Sequence, residues 1–221
     1  RRQRTRLPSY GLEGGSLMAE RFVIIVAGTP GVGKSTLSSL LSEELGCNVV
    51  EPSQVAVKEG LGRPDPERPG TLIIDEERLV NSILSKLGPC TIVPTHYPSL
   101  FLDFANFNEL VPFVVLLRLS PLALFERLLS RGWPRRKILE NVMAEALGSV
   151  ADELMDYSDM TIEVDTTGMS PQSVLSSVIS GVSEWRTGIN IDWLSDPAVA
   201  NAVPQWGSEL DLYENGVYNG G

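Results

Sequence analysis

Residues 28–36 read Gly28-Thr29-Pro30-Gly31-Val32-Gly33-Lys34-Ser35-Thr36 and fit the pattern G-x-x-x-x-G-K-[ST]. The flanks of this stretch decide the fold. Before it, residues 22–27 (FVIIVA) form a continuous apolar run suited to a buried parallel strand. After it, residues 34–45 (KSTLSSLLSEEL) place Leu37, Leu40, Leu41 and Leu45 at helical spacing. The pattern thus lies between a strand and a helix, where a phosphate-binding loop works. Glycines let the backbone turn tightly and aim N–H groups at phosphate oxygens, and the helix N-terminus adds partial positive charge. The residues expected to hold a nucleoside triphosphate are Gly28, Pro30, Gly31, Val32, Gly33, Lys34, Ser35 and Thr36. Lys34 reaches the β- and γ-phosphates, and the Ser35 hydroxyl ligates Mg²⁺. An ordinary Gly-rich turn between strand and helix leaves unexplained why Lys and Ser follow the last Gly.

Working outward, strands alternate with helices. Residues 47–50 read as a short strand, and 53–60 as a short helix with Ser53 as its cap. The Pro- and Gly-rich stretch 61–70 reads as a loop. Asp75 opens an amphipathic helix carrying Leu79, Ile83, Leu84 and Leu87. Residues 90–94 and 112–119 read as core strands, the second followed by a helix from Ser120-Pro121. The aromatic-rich stretch 101–110 resists assignment. A long helix is expected from Pro134 through Leu154, then a last strand at 160–164 and a helix from Ser170-Pro171. This alternation predicts an α/β, three-layer P-loop NTPase fold with a mostly parallel sheet, carrying short acceptor-binding and lid segments. Three regions are expected: a disordered extension at 1–17, a nucleotide kinase domain at 18–188, and an acidic, loosely ordered tail at 189–221.

Composition narrows the function classes. The chain has 221 residues and a formal net charge of −10. Residues 1–17 contain four Arg and one Glu, a contribution of +3, so the remainder carries −13. Such an acidic body does not hold nucleic acid by general phosphate attraction, whereas a basic protein suits it. No apolar run approaches the ~20 residues of a membrane span, and a cytoplasmic location is expected, or a nuclear one if the source is eukaryotic. Residues 1–17 lack a signal-peptide core; they read as sequence upstream of a start at Met18, with a basic arm as the other reading. Cys47 and Cys90 read as core thiols of a reducing compartment, a disulfide being the weaker alternative. The tail reads as loose chain with Trp193 packed back on the body, or as a peptide that docks a basic partner.

A small P-loop enzyme that transfers phosphate needs a cradle, an acceptor pocket and cationic groups that close over the transferred group. The cationic candidates are Arg118, Arg127, Arg131, Arg135, Arg136 and Lys137. Arg127 and Arg131 are four apart and share a helical face, just before a Gly132–Pro134 hinge. These two are the ones expected to stabilise charge on a γ-phosphate, with Arg131 also touching the bound nucleotide. The acceptor pocket is expected between about residues 51 and 78, with Lys58, Arg63 and Arg68 as phosphate binders. Asp75 either hydrogen-bonds a nucleoside or caps its helix. His96, the one histidine, lies just past a strand end, where it orients a water or a phosphate or serves structure alone.

The loop GTPGVGKST, the helix start DEERLV, Val93 three residues before His96, LLRLSPLALFERLLSRGW and KILENVMAEAL together resemble the adenylate kinase isoenzyme 6 family of archaea and eukaryotes. The similarity covers roughly residues 21–186, and DWLSD at Asp192 is similar to archaeal members. The resemblance implies a nucleoside monophosphate kinase (ATP and AMP to two ADP) with Mg²⁺, an added ATPase activity, and a role in small-ribosomal-subunit maturation through a basic ribosomal protein. Two positions depart from the family pattern. Pro94 stands where eukaryotic members carry an Asp, so Mg²⁺ would rest on Ser35, phosphates and water. Val57 stands where they carry a monophosphate-binding Arg, with Lys58 adjacent as a substitute. Two further readings stay open: an ATP-gated assembly factor with little kinase activity, and a kinase for a metabolite hydroxyl.

Overall fold

The computed structural model describes residues 21–66, 72–107 and 111–215. The expected extension at 1–17 and Arg68 lie outside the described residues. The strands are β1 (Phe22–Ala27), β2 (Asn48–Val49), β3 (Gly62–Pro64), β4 (Leu72–Ile74), β5 (Cys90–Thr95), β6 (Val111–Arg118) and β7 (Thr161–Asp165). The helices are α1 (Lys34–Leu45), α2 (Pro52–Lys58), α3 (Glu76–Ser85), α4 (Pro98–Phe107), α5 (Pro121–Ser130), α6 (Arg135–Ala146), α7 (Ser149–Asp152), α8 (Pro171–Ser183) and α9 (Pro197–Glu214).

Five strands form one sheet in the order β2-β5-β1-β6-β7, every pair parallel. Parallel neighbours need crossovers, and the helices that supply them cover both faces. Alternation along β1 splits the core in two. Ile24 and Val26 face Leu37, Leu41, Leu124 and Leu128, whereas Val23, Ile25 and Ala27 face Val55, Leu79, Ile83 and Leu102. β1 is therefore buried on both faces, as its unbroken apolar run requires. This is the expected three-layer α/β P-loop fold.

Several boundaries differ from expectation, each for a local reason. The stretch 61–70 contains β3, which pairs antiparallel with β4 (Gly62 opposite Ile74) and makes a small hairpin beside the main sheet. α2 starts at Pro52 rather than at Ser53; Glu51 occupies the cap position without a side-chain cap bond. The single long helix expected through Leu154 is broken, because Gly148 adopts a left-handed φ of 72° between α6 and α7. Residues left unassigned near Phe101 form α4. Cys47 and Cys90 are joined in a disulfide, not free thiols. The reason is topological: β2 pairs with β5, with Asn48 opposite Thr91, so the residues just before each come within 4.8 Å at Cα.

The tail departs furthest from expectation. Instead of loose chain, it forms a short 3-10 turn at Trp193–Ser195 and then α9, capped by Asp196, whose carboxylate accepts from the Ala198 N–H at 2.8 Å. Trp206 is buried and stacks on Phe125, with ring centroids 6.0 Å apart. Arg135 lies over the other aromatic partner, its guanidinium carbon 4.6 Å from the Phe125 centroid, and pairs with Glu209 at 2.7 Å. The periodicity that betrays such a helix was diluted by Pro204 and by polar residues on its outer face. Trp206→Ala should cost about 3 kcal/mol, the usual scale for truncating a buried aromatic. Urea denaturation checks this; a change below about 0.5 kcal/mol would be the mark of a surface residue.

Candidate active site

The site forms because β1 lies between β5 and β6, with Ala27 in register with Thr95 on one side and Leu116 on the other. The carboxyl ends of three strands therefore emerge side by side, where ligands bind in open α/β sheets. The loop 28–33 leaves β1, His96 follows β5, and α5 follows β6. Gly28 takes φ 145° with its α-carbon against the Leu117 carbonyl; a Cβ there would lie 2.6 Å from that oxygen. Gly33 caps α1 at φ 117°, and a Cβ there would meet nothing within 4 Å. The space over the loop is thus open and faces the N-terminus of α1, which suits a phosphate chain.

Lys34 sits beneath this space. Its Nζ donates to the carbonyls of Gly28 at 2.7 Å and Thr29 at 3.1 Å. Burial lowers its pKa from 10.5 to about 8, and the Glu145 carboxylate opposes that shift. Ser35 is exposed on the first turn of α1, and its hydroxyl is free to take a cation. Among the described residues no group of three or more His, Cys, Asp or Glu side chains converges on a metal position. The donor set therefore fits Mg²⁺ only as a companion of the nucleotide phosphates, which is how that ion usually binds.

Arg127 reaches across from α5, its Nη1 donating to the Gly31 and Val32 carbonyls at 3.2 and 3.3 Å. Partial burial and the neighbouring Arg131 lower its pKa. Arg127 thus lies at the loop, with Arg131 near enough to bear on its charge. The other cations go elsewhere. Arg118 is buried and paired with Glu145 and Glu163, both at 2.8 Å, so it belongs to the interior and not to the lid. Arg135 and Arg136 pair with Glu209 and Glu140.

A cavity of about 340 Å³ opens beside the loop. Lys34, Ser35 and His96 are among the residues that line it, together with Val57, Ile74 and Phe101. Burial in this crevice and the Lys34 ammonium hold the His96 imidazole down at about 4, so it is neutral at pH 7. Neutral imidazole offers one acceptor and one donor nitrogen. The proposed acceptor contacts are placed differently. Lys58 is exposed at the end of α2 and does not line the cavity. Arg63 and Asp75 line a separate hollow of about 400 Å³ with Arg78. The Asp75 carboxylate accepts from the Arg78 N–H at 3.1 Å, the capping role left open by the sequence. Glu51 and Tyr97 line the cavity without having been assigned a role, and Glu145 was missed. Glu145 had a signal: it is a charge on the apolar stripe of α6, seven residues after Ile138.

The low pKa of Lys34 fixes a pH dependence. In the free protein the ammonium loses its proton as pH rises through about 8. Phosphate anions favour the charged form, so binding takes up a proton above that pH. ATP affinity should be flat near pH 7 and fall by up to about tenfold per pH unit above 8. Without nucleotide the sign reverses. The unfolded chain holds its lysine proton up to 10.5, so stability should rise with pH between about 8 and 10.5. Calorimetric ATP titrations and thermal melts across this range check both.

Comparison with known proteins supplies the family. A family model described as "AAA domain" matches residues 24–148. The "Putative adenylate kinase" of Saccharolobus solfataricus is 34% identical over 198 residues, covering 88% of this chain and 100% of that protein. The protein of the same name from Pyrococcus abyssi is 36% identical over 177 residues, covering 77% and 91%. Among solved structures, the shikimate kinase of Aquifex aeolicus is 20% identical, with 73% and 96% coverage and a TM-score of 0.47. The archaeal proteins match across nearly their whole length, and this chain belongs to their adenylate-kinase-like family of P-loop kinases.

Proposed function

We propose that this protein transfers the γ-phosphoryl group of ATP to a nucleoside monophosphate, with AMP as the reference acceptor. The observation that carries this reading is the junction of two spaces at Lys34: the open cradle over the loop and the crevice beside it share that side chain. A donor on the loop and an acceptor in the crevice would meet there without crossing water.

The geometry supports the following roles. The loop N–H groups and the α1 N-terminus hold the donor phosphates. On nucleotide binding the Lys34 ammonium would exchange its carbonyl partners for β- and γ-oxygens, relieving its desolvation. Arg127 and Arg131 neutralise charge as it spreads over the transferred group, which is where such a transition state needs help. Mg²⁺ on Ser35, when bound, supplies further charge neutralisation. The apolar walls of the crevice, Val57 and Phe101 among them, would receive the acceptor's base and exclude water. His96, neutral and lining the crevice, can accept a hydrogen bond from the acceptor or from a water. A water held there in place of an acceptor would give the slower ATPase reaction.

A role in small-subunit maturation, with the protein gated by ATP and bound to a basic ribosomal protein, is the second reading. The −13 charge outside residues 1–17 favours it. The tail favours it less than its composition suggests, since Asp192, Asp196 and Glu209 are committed to caps and to Arg135.

Incubation with Mg²⁺-ATP, with and without AMP, following ADP and phosphate separately, tests the choice. AMP-dependent ADP formation without phosphate release is the expected result; phosphate release indifferent to AMP would leave only the second reading. Lys34→Ala should abolish both reactions. Arg127→Ala should lower kcat by about 100-fold or more, the scale for losing one preorganised donor to a developing charge. His96→Ala should reduce hydrolysis more than it weakens ATP binding; equal losses would mark a structural histidine.

A further inference from the structure

One buried polar cluster lies outside the roles assigned above and runs from the phosphate-binding loop to the C-terminal segment. Thr29, the second residue of the loop, is 1% exposed, and its Oγ1 donates to Glu145 Oε2 at 2.5 Å. The other carboxylate oxygen, Oε1, accepts three bonds: from Arg118 Nε at 2.8 Å, from the Leu119 N–H at 3.2 Å and from Trp193 Nε1 at 3.0 Å. Arg118 continues the chain. Its Nη1 donates to Glu163 Oε1 at 2.8 Å and to the Ile191 carbonyl at 3.2 Å. Glu163 Oε2 in turn accepts from the backbone N–H groups of Asn190 and Ile191 at 2.6 and 2.9 Å.

The cluster is an expensive way to fill a core. Apolar residues of similar volume usually replace buried ion pairs with no loss of stability, so stability alone gives no reason for it. Its geometry does. Glu145 uses one oxygen for the loop and the other for the C-terminal segment, so neither moves without the other losing a charge-assisted bond. The segment is also anchored independently: the Gly188 N–H donates to the Thr161 carbonyl at 2.8 Å, and α9, which follows it in the chain, is fixed on α5 by the Trp206–Phe125 stack. Glu145 thus passes the position of an anchored segment to Thr29, which adjoins Gly28 and gives Lys34 one of its carbonyl partners.

We propose that Glu145 and Trp193 are positioning residues for nucleotide binding, through which residues 188–195 hold the phosphate-binding loop in its ATP-competent form. The inference rests on the loop being the ATP site. It goes beyond the kinase reading by giving the C-terminal segment a part in donor affinity rather than in partner docking. Neither residue touches substrate; both act through Thr29.

Two substitutions that remove one donor each test it. Trp193→Phe keeps a ring beside Arg118 but removes the indole N–H, and Thr29→Val removes the hydroxyl. ATP dissociation constants are measured by calorimetry, at a temperature well below the melting midpoint of each variant. Each should weaken ATP binding by about 3- to 10-fold with the KM for AMP unchanged. The double variant should be no weaker than the worse single one, because both break the same path. Thr29→Ser, which keeps the hydroxyl, should restore parental affinity. A folded Trp193→Phe protein binding ATP within twofold of the parent would overturn the proposal, as would effects that multiply in the double variant. If Trp193→Phe does not fold, Thr29→Val against Thr29→Ser decides: equal affinities would overturn it. A parent protein that does not bind ATP would instead overturn the nucleotide reading itself.

Discussion

Parallel pairing of β1 with β5 on one side and β6 on the other is the constraint from which the rest follows. It sets Ala27, Thr95 and Leu116 in one row, so the chain leaves three adjacent strands at the same edge. The loop, His96 and the helix carrying Arg127 and Arg131 are consequences of that row. Such pairing requires helical crossovers, which bury β1 on both faces and explain why six consecutive apolar residues precede the loop. The close approach of Gly28 to the Leu117 carbonyl belongs to the same packing: the loop turns where β6 leaves no room for a side chain.

Electrostatics then distinguish the site from the frame. Lys34 and Arg127 are partly desolvated, and each borrows loop carbonyls as acceptors. Both pKa values are lowered, Lys34 chiefly by burial, Arg127 by burial and then by Arg131. Cations held in this way are strained toward an anion, and phosphate oxygens would satisfy them better than carbonyls do. Beside them, the buried Glu145 carboxylate, paired with Arg118, favours the charged form of Lys34 against its burial.

Much of this was legible in the sequence, and what was missed has physical causes. The loop, its flanking strand and helix, and the Arg127–Arg131 pair declare themselves through local spacing alone. The Asp75 cap was one of two readings left open, and the structure shows it as a bond within three residues. Long-range pairing was not readable. The β3–β4 hairpin hid in a Pro-rich stretch, and the Cys47–Cys90 bond depended on knowing that β2 neighbours β5. Arg118 looked like a lid cation because periodicity cannot tell whether a charge at a strand end points in or out. Its place at the end of an unbroken apolar run, PFVVLLRL, and that of Glu145 on an apolar helical stripe, were the clues that buried partners existed. The tail was misread because a helix with an internal proline and a wet outer face has little amphipathic signature.

The central claim is that the loop and the crevice are the donor and acceptor halves of a single phosphotransfer site. A dinucleotide with two adenosines joined by five phosphates would span both, and its calorimetric titration against the protein tests the claim most directly. The account predicts one dinucleotide per chain, competing with ATP and with AMP alike, and no binding to Lys34→Ala. A dinucleotide displaced by ATP but indifferent to AMP would contradict it, leaving a nucleotide-binding loop beside a crevice with another purpose.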